Sequence, residues 1–395
     1  MKTTSPKILV ALACFGFLIY GLFNSAVGPI LNELSVLTNT SLAAVGGVLT
    51  FLFAGSLTAM ILVGPIIDRV GQKYVLLVAL ALLALGILGY SNVHSLPLMF
   101  ALFLMAGLGQ GGMEIASNLV ITDAYPRNNT GVLNLLHFFF GLGAFLGPAL
   151  VSLSLSLGAQ GRLVHWCAAA AFVLLGVLFL LVYRNAPRPK EATQAETTTA
   201  NNGFYRTPLL WMFGAVLLLY VGVEFSIGSW TTSFMGISAG LSIEKGALVT
   251  SAYWGFLTLG RLFGIFISKK LSAVQLLGTS VIGALLGGVA FLLLTGSTAP
   301  VIATVMGIGF FFGAIFPTTV SLTTAAFPDH QGKAVSLVSA MSSIGGLALP
   351  WLGGVLLEKG GANVFAIYAV AIMALLVVLF TLIRRSLGKQ VNRNS

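Results

Sequence analysis

Apolar runs of membrane-spanning length recur along the chain, each closed by a short polar break. A transmembrane helix needs about 20 consecutive, mostly apolar residues. The sequence supplies twelve such runs, near residues 7–32, 42–67, 74–90, 96–124, 132–157, 163–183, 207–235, 246–268, 273–295, 300–327, 334–357 and 363–382. Spans 3, 6, 9 and 12 are almost wholly apolar, whereas polar and aromatic interruptions fall on the others. This predicts that every third helix faces lipid and that the rest line a central cavity. The first run follows Lys2 and Lys7 and could be misread as a signal peptide. Its core is longer than the 7 to 15 residues of such a segment and lacks a clear small-residue cleavage site, so it is read as span 1.

One long break interrupts the rhythm, "RNAPRPKEATQAETTTANNGFYR" between spans 6 and 7. Its Pro, Ala, Thr and charged residues read as a flexible linker. It divides the chain into a six-helix bundle over residues 1–185, a cytoplasmic linker over 186–206 and a second six-helix bundle over 207–395. The halves repeat each other. "TDAYPRNNTGVLNL" after span 4 parallels "TTAAFPDHQGKAVSL" after span 10, with Pro126 and Pro328 separated by 202 residues. Pro148 and Pro350 share that offset, and Gly64 and Gly264 lie 200 apart. The predicted fold is an all-α integral membrane protein of 12 transmembrane helices in two pseudo-symmetric bundles.

Composition agrees with this class, since 57% of residues are hydrophobic and 8% charged, against about 25% charged in soluble domains. Counting Lys and Arg loop by loop sets the orientation, because cytoplasmic loops retain positive charge. Both termini and every even-to-odd connection carry 16 of them and the opposite loops only Arg162, Lys245 and Lys359, leaving Arg261 inside a span. Both termini are therefore expected in the cytoplasm. Topology alone accounts for the net charge of +10, and no nucleic-acid partner is implied. Cys14 and Cys167 are isolated, the four His form no H-x-x-x-H pair, and neither a Walker lysine motif nor a G-x-S-x-G elbow occurs. An enzyme is disfavoured, no metal or cofactor is expected beyond a coupling ion, and transport must draw on an ion gradient or on the substrate's own gradient.

Two carboxylates stand against this apolar background. Glu114 lies within span 4, where a charge costs roughly 2.5–3.5 kcal/mol or more. Gln110, Glu114 and Asn118 are spaced i, i+4, i+8 and share one helix face. Tyr220 and Glu224 repeat that spacing in span 7. The repeat places Phe316 opposite Glu114, and Phe23 or Asn24 opposite Glu224, so both carboxylates break the internal symmetry. A carboxyl group held away from water can take up and release a proton in each cycle. Alternatively it ligates a sodium ion with neighbouring oxygens, or accepts hydrogen bonds from substrate hydroxyls. The plain reading is a carboxyl group protonated or paired for structure.

"GPIIDRVGQK", residues 64–73, resembles the span 2 to 3 motif of the major facilitator superfamily, G-x-x-x-D-R-x-G-R-K, matching at Gly64, Asp68, Arg69, Gly71 and Lys73 and departing at Gln72. The resemblance implies that Asp68 and Arg69 belong to a cytoplasmic latch; a charged turn that only sets topology is the simpler alternative. "GAFLGP", residues 143–148, is similar to the G-x-x-x-G-P of antiporters but reads better as a small-residue packing face. Four patches, "GPILNEL", "LNLLHFFFGLGAFLGP", "LYVGVEFSIGSW" and "SAYWGFLTLGRLFG", resemble the branch that holds fucose permeases and sodium-dependent glucose transporters. By that resemblance Glu114 corresponds to a proton-coupling glutamate, while the permease's span 1 aspartate has no counterpart in "FNSAVGP". The coupling ion, sodium or proton, stays open.

A sugar site needs apolar platforms together with amide and carboxylate partners. Candidates are Asn24, Gln110, Glu114, Asn118, Asn134, His137, Tyr220, Glu224, Trp230, Tyr253 and Trp254, with Phe311 and Phe312 beside them. Glu114 and Glu224 are the ion-coupling candidates, and Arg261, under two turns from the end of span 8, is expected to snorkel, pair or gate. A single aromatic in a membrane helix is more often packing or interfacial belt. The expected protein is a monomeric secondary active transporter of a small sugar, a multi-pass protein of a bacterial inner membrane that works by alternating access. The rival is a proton-coupled exporter of lipophilic compounds; a lipid flippase would need a lateral opening and a head-group site.

Overall fold

The computed structural model describes residues 5–124, 130–182 and 204–394. The linker expected over 186–206 lies outside the described residues up to residue 203, as does most of the break after span 4, residues 125–129. The chain divides into two compact units, Met1–Thr197 and Thr198–Ser395.

Unit 1 contains α1 (Pro6–Thr38), α2 (Leu42–Val70), α3 (Gln72–Tyr90), α4 (Leu96–Ala124), α5 (Thr130–Ser156) and α6 (Leu163–Val182). Unit 2 contains α7 (Pro208–Ala239), α8 (Ile243–Ile267), α9 (Ala273–Leu293), α10 (Thr298–Phe312), α11 (Ile315–Ala326) and α12 (Gln331–Asn394). Among the described residues ten helical segments are long and apolar enough to cross a membrane. α8, interrupted by Glu244, Lys245 and Arg261, adds an eleventh, and α12 counts once although it carries two spans.

The last three spans differ from the expected pattern. Span 10 is two helices, α10 and α11, parted at Gly313 and Ala314. Spans 11 and 12 are joined without a loop, because α12 bends at Gly361, whose φ of 74° is a left-handed conformation that glycine adopts readily. α12 also runs twelve residues past position 382, through "IRRSLGKQVNRN". Hydropathy marks the membrane slab, not the end of a helix, and Arg384, Arg385, Leu387, Lys389, Gln390 and Arg393 are good helix formers.

Repetition extends from sequence to punctuation. α1 and α7 both begin with proline in the first turn, Pro6 and Pro208, and both end on a left-handed residue, Asn39 at φ 51° and Gly240 at φ 63°. α2 and α3 meet at Gly71, whose φ of 88° explains the glycine of the "DRVG" turn.

Packing inside each unit depends on close crossings of small residues. α1 packs on α5, α2 on α4, and α3 on α4 and α6; in unit 2, α7 packs on the first arm of α12, and α8 on α10. At Gly143 a methyl group would fall on the Leu18 carbonyl, and at Gly345, 202 residues later, on the Leu218 carbonyl. The next crossing differs between the units: Gly147 lies against the Leu22 backbone carbonyl in unit 1, while Gly222 lies against the Leu349 side chain in unit 2. "GAFLGP" is thus a packing face. The α6 span buries 39% of its apolar window, against 67% for α7 and 61% for α1, in line with a lipid-facing third helix. α3 departs from that expectation at 50%, the same share as α4, because it is sandwiched between α4 and α6.

Polar groups close one end of unit 1. The Glu33 carboxylate accepts from the backbone N–H of Gly161 at 2.6 Å and of Arg162 at 3.2 Å, and pairs with the Arg162 guanidinium at 3.5 Å. Arg162 also donates to the Ser91 carbonyl, so that α1, the end of α3 and the turn before α6 are tied together.

Candidate functional site

In unit 1 the polar groups of α1 and α4 converge. Asn24, on α1, donates through Nδ2 to Oε1 of Gln110 on α4 at 3.1 Å. Both side chains are buried, at 7% and 3% exposure. One helical turn on from Gln110, the half-buried Glu114 carboxylate lies within hydrogen-bonding reach of the Tyr20 hydroxyl, and Tyr20 also reaches Gln110. Four side chains from two helices therefore share one network. Glu114 has no ion pair among the described residues.

Rings extend this network towards α5. Tyr20 packs on Phe140 with centroids 4.8 Å apart, and Phe17 bridges Tyr20 at 5.8 Å and His137 at 5.7 Å, both edge to face. His137 itself is exposed. Asn118 continues the α4 stripe one turn beyond Glu114 and is half-buried. The Asn134 side chain lies outside the described residues.

In unit 2 the second carboxylate has different company. Glu224, 3% exposed, sits at the midpoint of α7, sixteen residues from Pro208 and fifteen from Ala239. Its Oε1 lies 3.4 Å from Nη2 of Arg261 on α8. Instead of snorkelling to the helix end, Arg261 turns inward. Its neighbours one turn either way, Leu257 and Gly264, are buried, whereas Leu259, Phe263 and Phe266 on the opposite face are exposed. The Tyr253 hydroxyl donates to the Glu224 backbone carbonyl at 3.0 Å. Tyr220, one turn before Glu224, directs its hydroxyl at Glu224 and Arg261, yet that buried hydroxyl completes no hydrogen bond among the described residues. Phe312 closes over the Tyr220 ring at 5.5 Å.

Trp254 packs on Gly228, one turn beyond Glu224, so α7 and α8 run antiparallel with Glu224 facing Arg261 and Gly228 facing the indole. The Trp254 Nε1 is buried and has no hydrogen-bond acceptor among the described residues. Two other candidates sit apart from this cluster. Trp230 is fully buried against Gly354 and donates to the Pro350 carbonyl at 2.7 Å, so it is spent on the contact with α12. Phe311 is exposed and covers Gly283 of α9.

Arg69 is exposed in the last turn of α2; the Asp68 side chain lies outside the described residues. A groove of about 710 Å³ between α2, α3 and α4 is lined by Leu62, Val63, Ile66, Tyr74 and Val78 among others. It contains none of the polar groups that the two clusters bring together. Among the described residues no cluster of three or more His, Cys, Asp or Glu could hold a metal.

Tyr20 was not a candidate from sequence. The signal was there, however: Tyr20 and Asn24 on α1 stand 200 residues before Tyr220 and Glu224 on α7. The repeat that placed Asn24 opposite Glu224 also places one tyrosine opposite the other.

Bundles of membrane-spanning helices, with carboxylates and amides buried at mid-span and linked to rings and hydroxyls, define a polytopic membrane transporter. The profile of the Major Facilitator Superfamily matches residues 13–314 and 279–395. The chain belongs to that superfamily. It is similar to sodium-dependent glucose transporter 1 of Homo sapiens, 22% identical over 378 residues that span 88% of this chain and 73% of the human one. It is also similar to the inner membrane transport protein YdiN of Escherichia coli, 22% identical over 97% of this chain and 92% of the other. Among solved structures, the nucleoside transporter NupG superposes with a TM-score of 0.78 at 14% identity, covering 95% of this chain and 99% of that one. A D-xylose-proton symporter superposes at 0.77 and 14%, covering 94% and 96%. These relatives are transporters, and the chain is a transporter and not an enzyme.

Proposed function

We propose that the protein carries a small sugar, a hexose such as glucose or fucose, across the membrane by alternating access, in symport with sodium or protons. The observation that carries this reading is the network around Glu114. A mid-span carboxylate without an ion pair among the described residues is costly to keep, and here it faces a phenol that is linked in turn to two amides, the groups that hydrogen-bond sugar hydroxyls. The names of two relatives, a sodium-dependent glucose transporter and a D-xylose-proton symporter, agree with it. Glu114 is the coupling residue: cation loading neutralises it and shifts the conformational equilibrium, and sugar and cation strengthen each other's binding by the same factor. Glu224 already has a countercharge in Arg261, which leaves Glu114 as the better of the two coupling candidates.

The sugar-binding candidates are Asn24, Gln110 and Asn118 beside Glu114 within unit 1, and Tyr220, Tyr253 and Trp254 within unit 2. Asp68 and Arg69 act as a latch at the turn built on Gly71. The protein works as a monomer in a bacterial inner membrane with both termini in the cytoplasm, an orientation that the 16 to 3 division of loop charge supports.

Uptake of labelled glucose and fucose into proteoliposomes, under a sodium gradient or a pH gradient applied separately, tests this reading. One gradient is expected to drive uptake, and Glu114→Gln to reduce gradient-driven uptake to the level of empty liposomes. Absence of sugar uptake under both gradients would sink the sugar reading, and proton-driven efflux of lipophilic cations in its place would establish an exporter.

A further inference from the structure

We propose that Arg261, Tyr220 and Glu224 form a docking point for the carboxylate of a sugar acid, so that the sugar carried is a monoanionic polyhydroxy acid; this rests on the sugar-transport reading and narrows its substrate class. A guanidinium has five N–H donors, and among the described residues Arg261 uses one of them, through Nη2 to Glu224. Nε and Nη1 have no partner there. The guanidinium is not turned to lipid, because Arg261 shares the buried face of α8 with Leu257 and Gly264, yet its side chain keeps 26% exposure. Open donors on an inward-facing, partly accessible cation are a vacancy for an anion.

The Tyr220 hydroxyl makes the same point independently. It is wholly buried, directed at Arg261 and Glu224, and completes no hydrogen bond among the described residues. A buried hydroxyl without a partner costs about 1–3 kcal/mol, and an incoming oxygen would satisfy it. Trp254 Nε1, two turns from Arg261 on the same face of α8, is a third buried donor without an acceptor and is available to a sugar hydroxyl.

Charge selects the type of anion. Glu224 accepts from Nη2 and so positions the guanidinium, whose second Nη2 hydrogen forms a fork with Nε or Nη1 where a planar carboxylate can bind through two parallel hydrogen bonds. A phosphate dianion would set three negative charges around a single positive one. A carboxylate sets two, in the geometry that arginine fits best.

The test is initial uptake of labelled D-glucuronate, D-glucose and D-glucose 6-phosphate by the full-length protein in proteoliposomes, alongside Arg261→Gln and the double variant Arg261→Gln/Glu224→Gln. The double variant leaves no uncompensated charge at this pair, so it reports on binding where the single variant misfolds; thermal unfolding checks that each variant is folded. Glucuronate uptake is expected to exceed glucose uptake about tenfold or more, and that ratio to fall about tenfold in the folded variants. Glucose uptake with glucuronate excluded, or an uptake ratio unmoved in both variants, would overturn the docking point while sugar transport stands. Preference for glucose 6-phosphate would overturn the choice of a carboxylate. Uptake of none of the three compounds, with both ion gradients tried, would overturn this inference together with the reading beneath it.

Discussion

Glu114 and Glu224 are interchangeable in a hydropathy plot, and the residues around them give them opposite duties. Glu224 is clamped by Arg261, and Tyr253 holds the backbone beneath it. Glu114 meets only neutral groups, Tyr20 foremost. Tyr20→Phe removes a hydrogen bond to a charged group, an interaction worth about 1.5–3 kcal/mol. It is expected to weaken the apparent affinity for the coupling cation about tenfold or more while sugar exchange at saturating cation is kept, as a cation titration of uptake would read. Equal cation dependence in both proteins would remove Tyr20 from the coupling network. At the other end of unit 1, Glu33→Gln replaces the carboxylate that holds Gly161, Arg162 and the Arg162 guanidinium. A loss of several degrees in melting temperature is expected, and an unchanged melting curve would show that the three contacts contribute little. Such pairings were only half legible. The spacing of Gln110, Glu114 and Asn118 gave one face of α4 directly, but no periodicity gives the rotation of one helix against another. For that reason the contact of Glu224 with Arg261, across 37 positions of sequence, emerges only in three dimensions.

Among elements, the helix crossings are set where backbones touch. Gly143→Ala would drive a methyl group into the Leu18 carbonyl, and Gly345→Ala into that of Leu218. Each should lower the melting temperature strongly, whereas Gly307→Ala, where nothing lies within 4 Å, should be neutral or slightly stabilising. The Gly222 crossing allows a sharper trial. Gly222→Leu alone collides with Leu349, and adding Leu349→Gly removes the colliding side chain, so the pair should recover stability that the single change loses. A double variant no better than Gly222→Leu would refute the exchange. Glycine and proline positions made these elements readable beforehand, since Pro148 and Pro350 marked equivalent helices and "GAFLGP" declared its packing role. The break at Gly313 and the loopless bend at Gly361 were not readable, because a glycine in an apolar run is equally at home in a straight helix.

At the scale of the whole molecule, each unit buries its own core, and the chain separates between residues 197 and 198. Two fragments divided there and expressed together are expected to restore gradient-driven uptake, whereas a cut inside α9 should abolish it. Charge distribution makes a further forecast: single cysteines introduced at positions 5 and 393 of a cysteine-free variant should react with a membrane-impermeant reagent only after the cytoplasmic side is exposed. Labelling of either from outside would reverse the assigned topology. The match of Gly222 to the Leu349 side chain has one more consequence, for how such a gene can be shuffled. The two lie more than a hundred positions apart, so a crossover between homologous halves anywhere over the equivalent positions 22 to 147 would set Leu22 of one half against Leu349 of the other, or Gly147 against Gly222. Inheritance of this crossing is all or nothing, and a recombinant breakpoint is tolerated only where a whole half travels together.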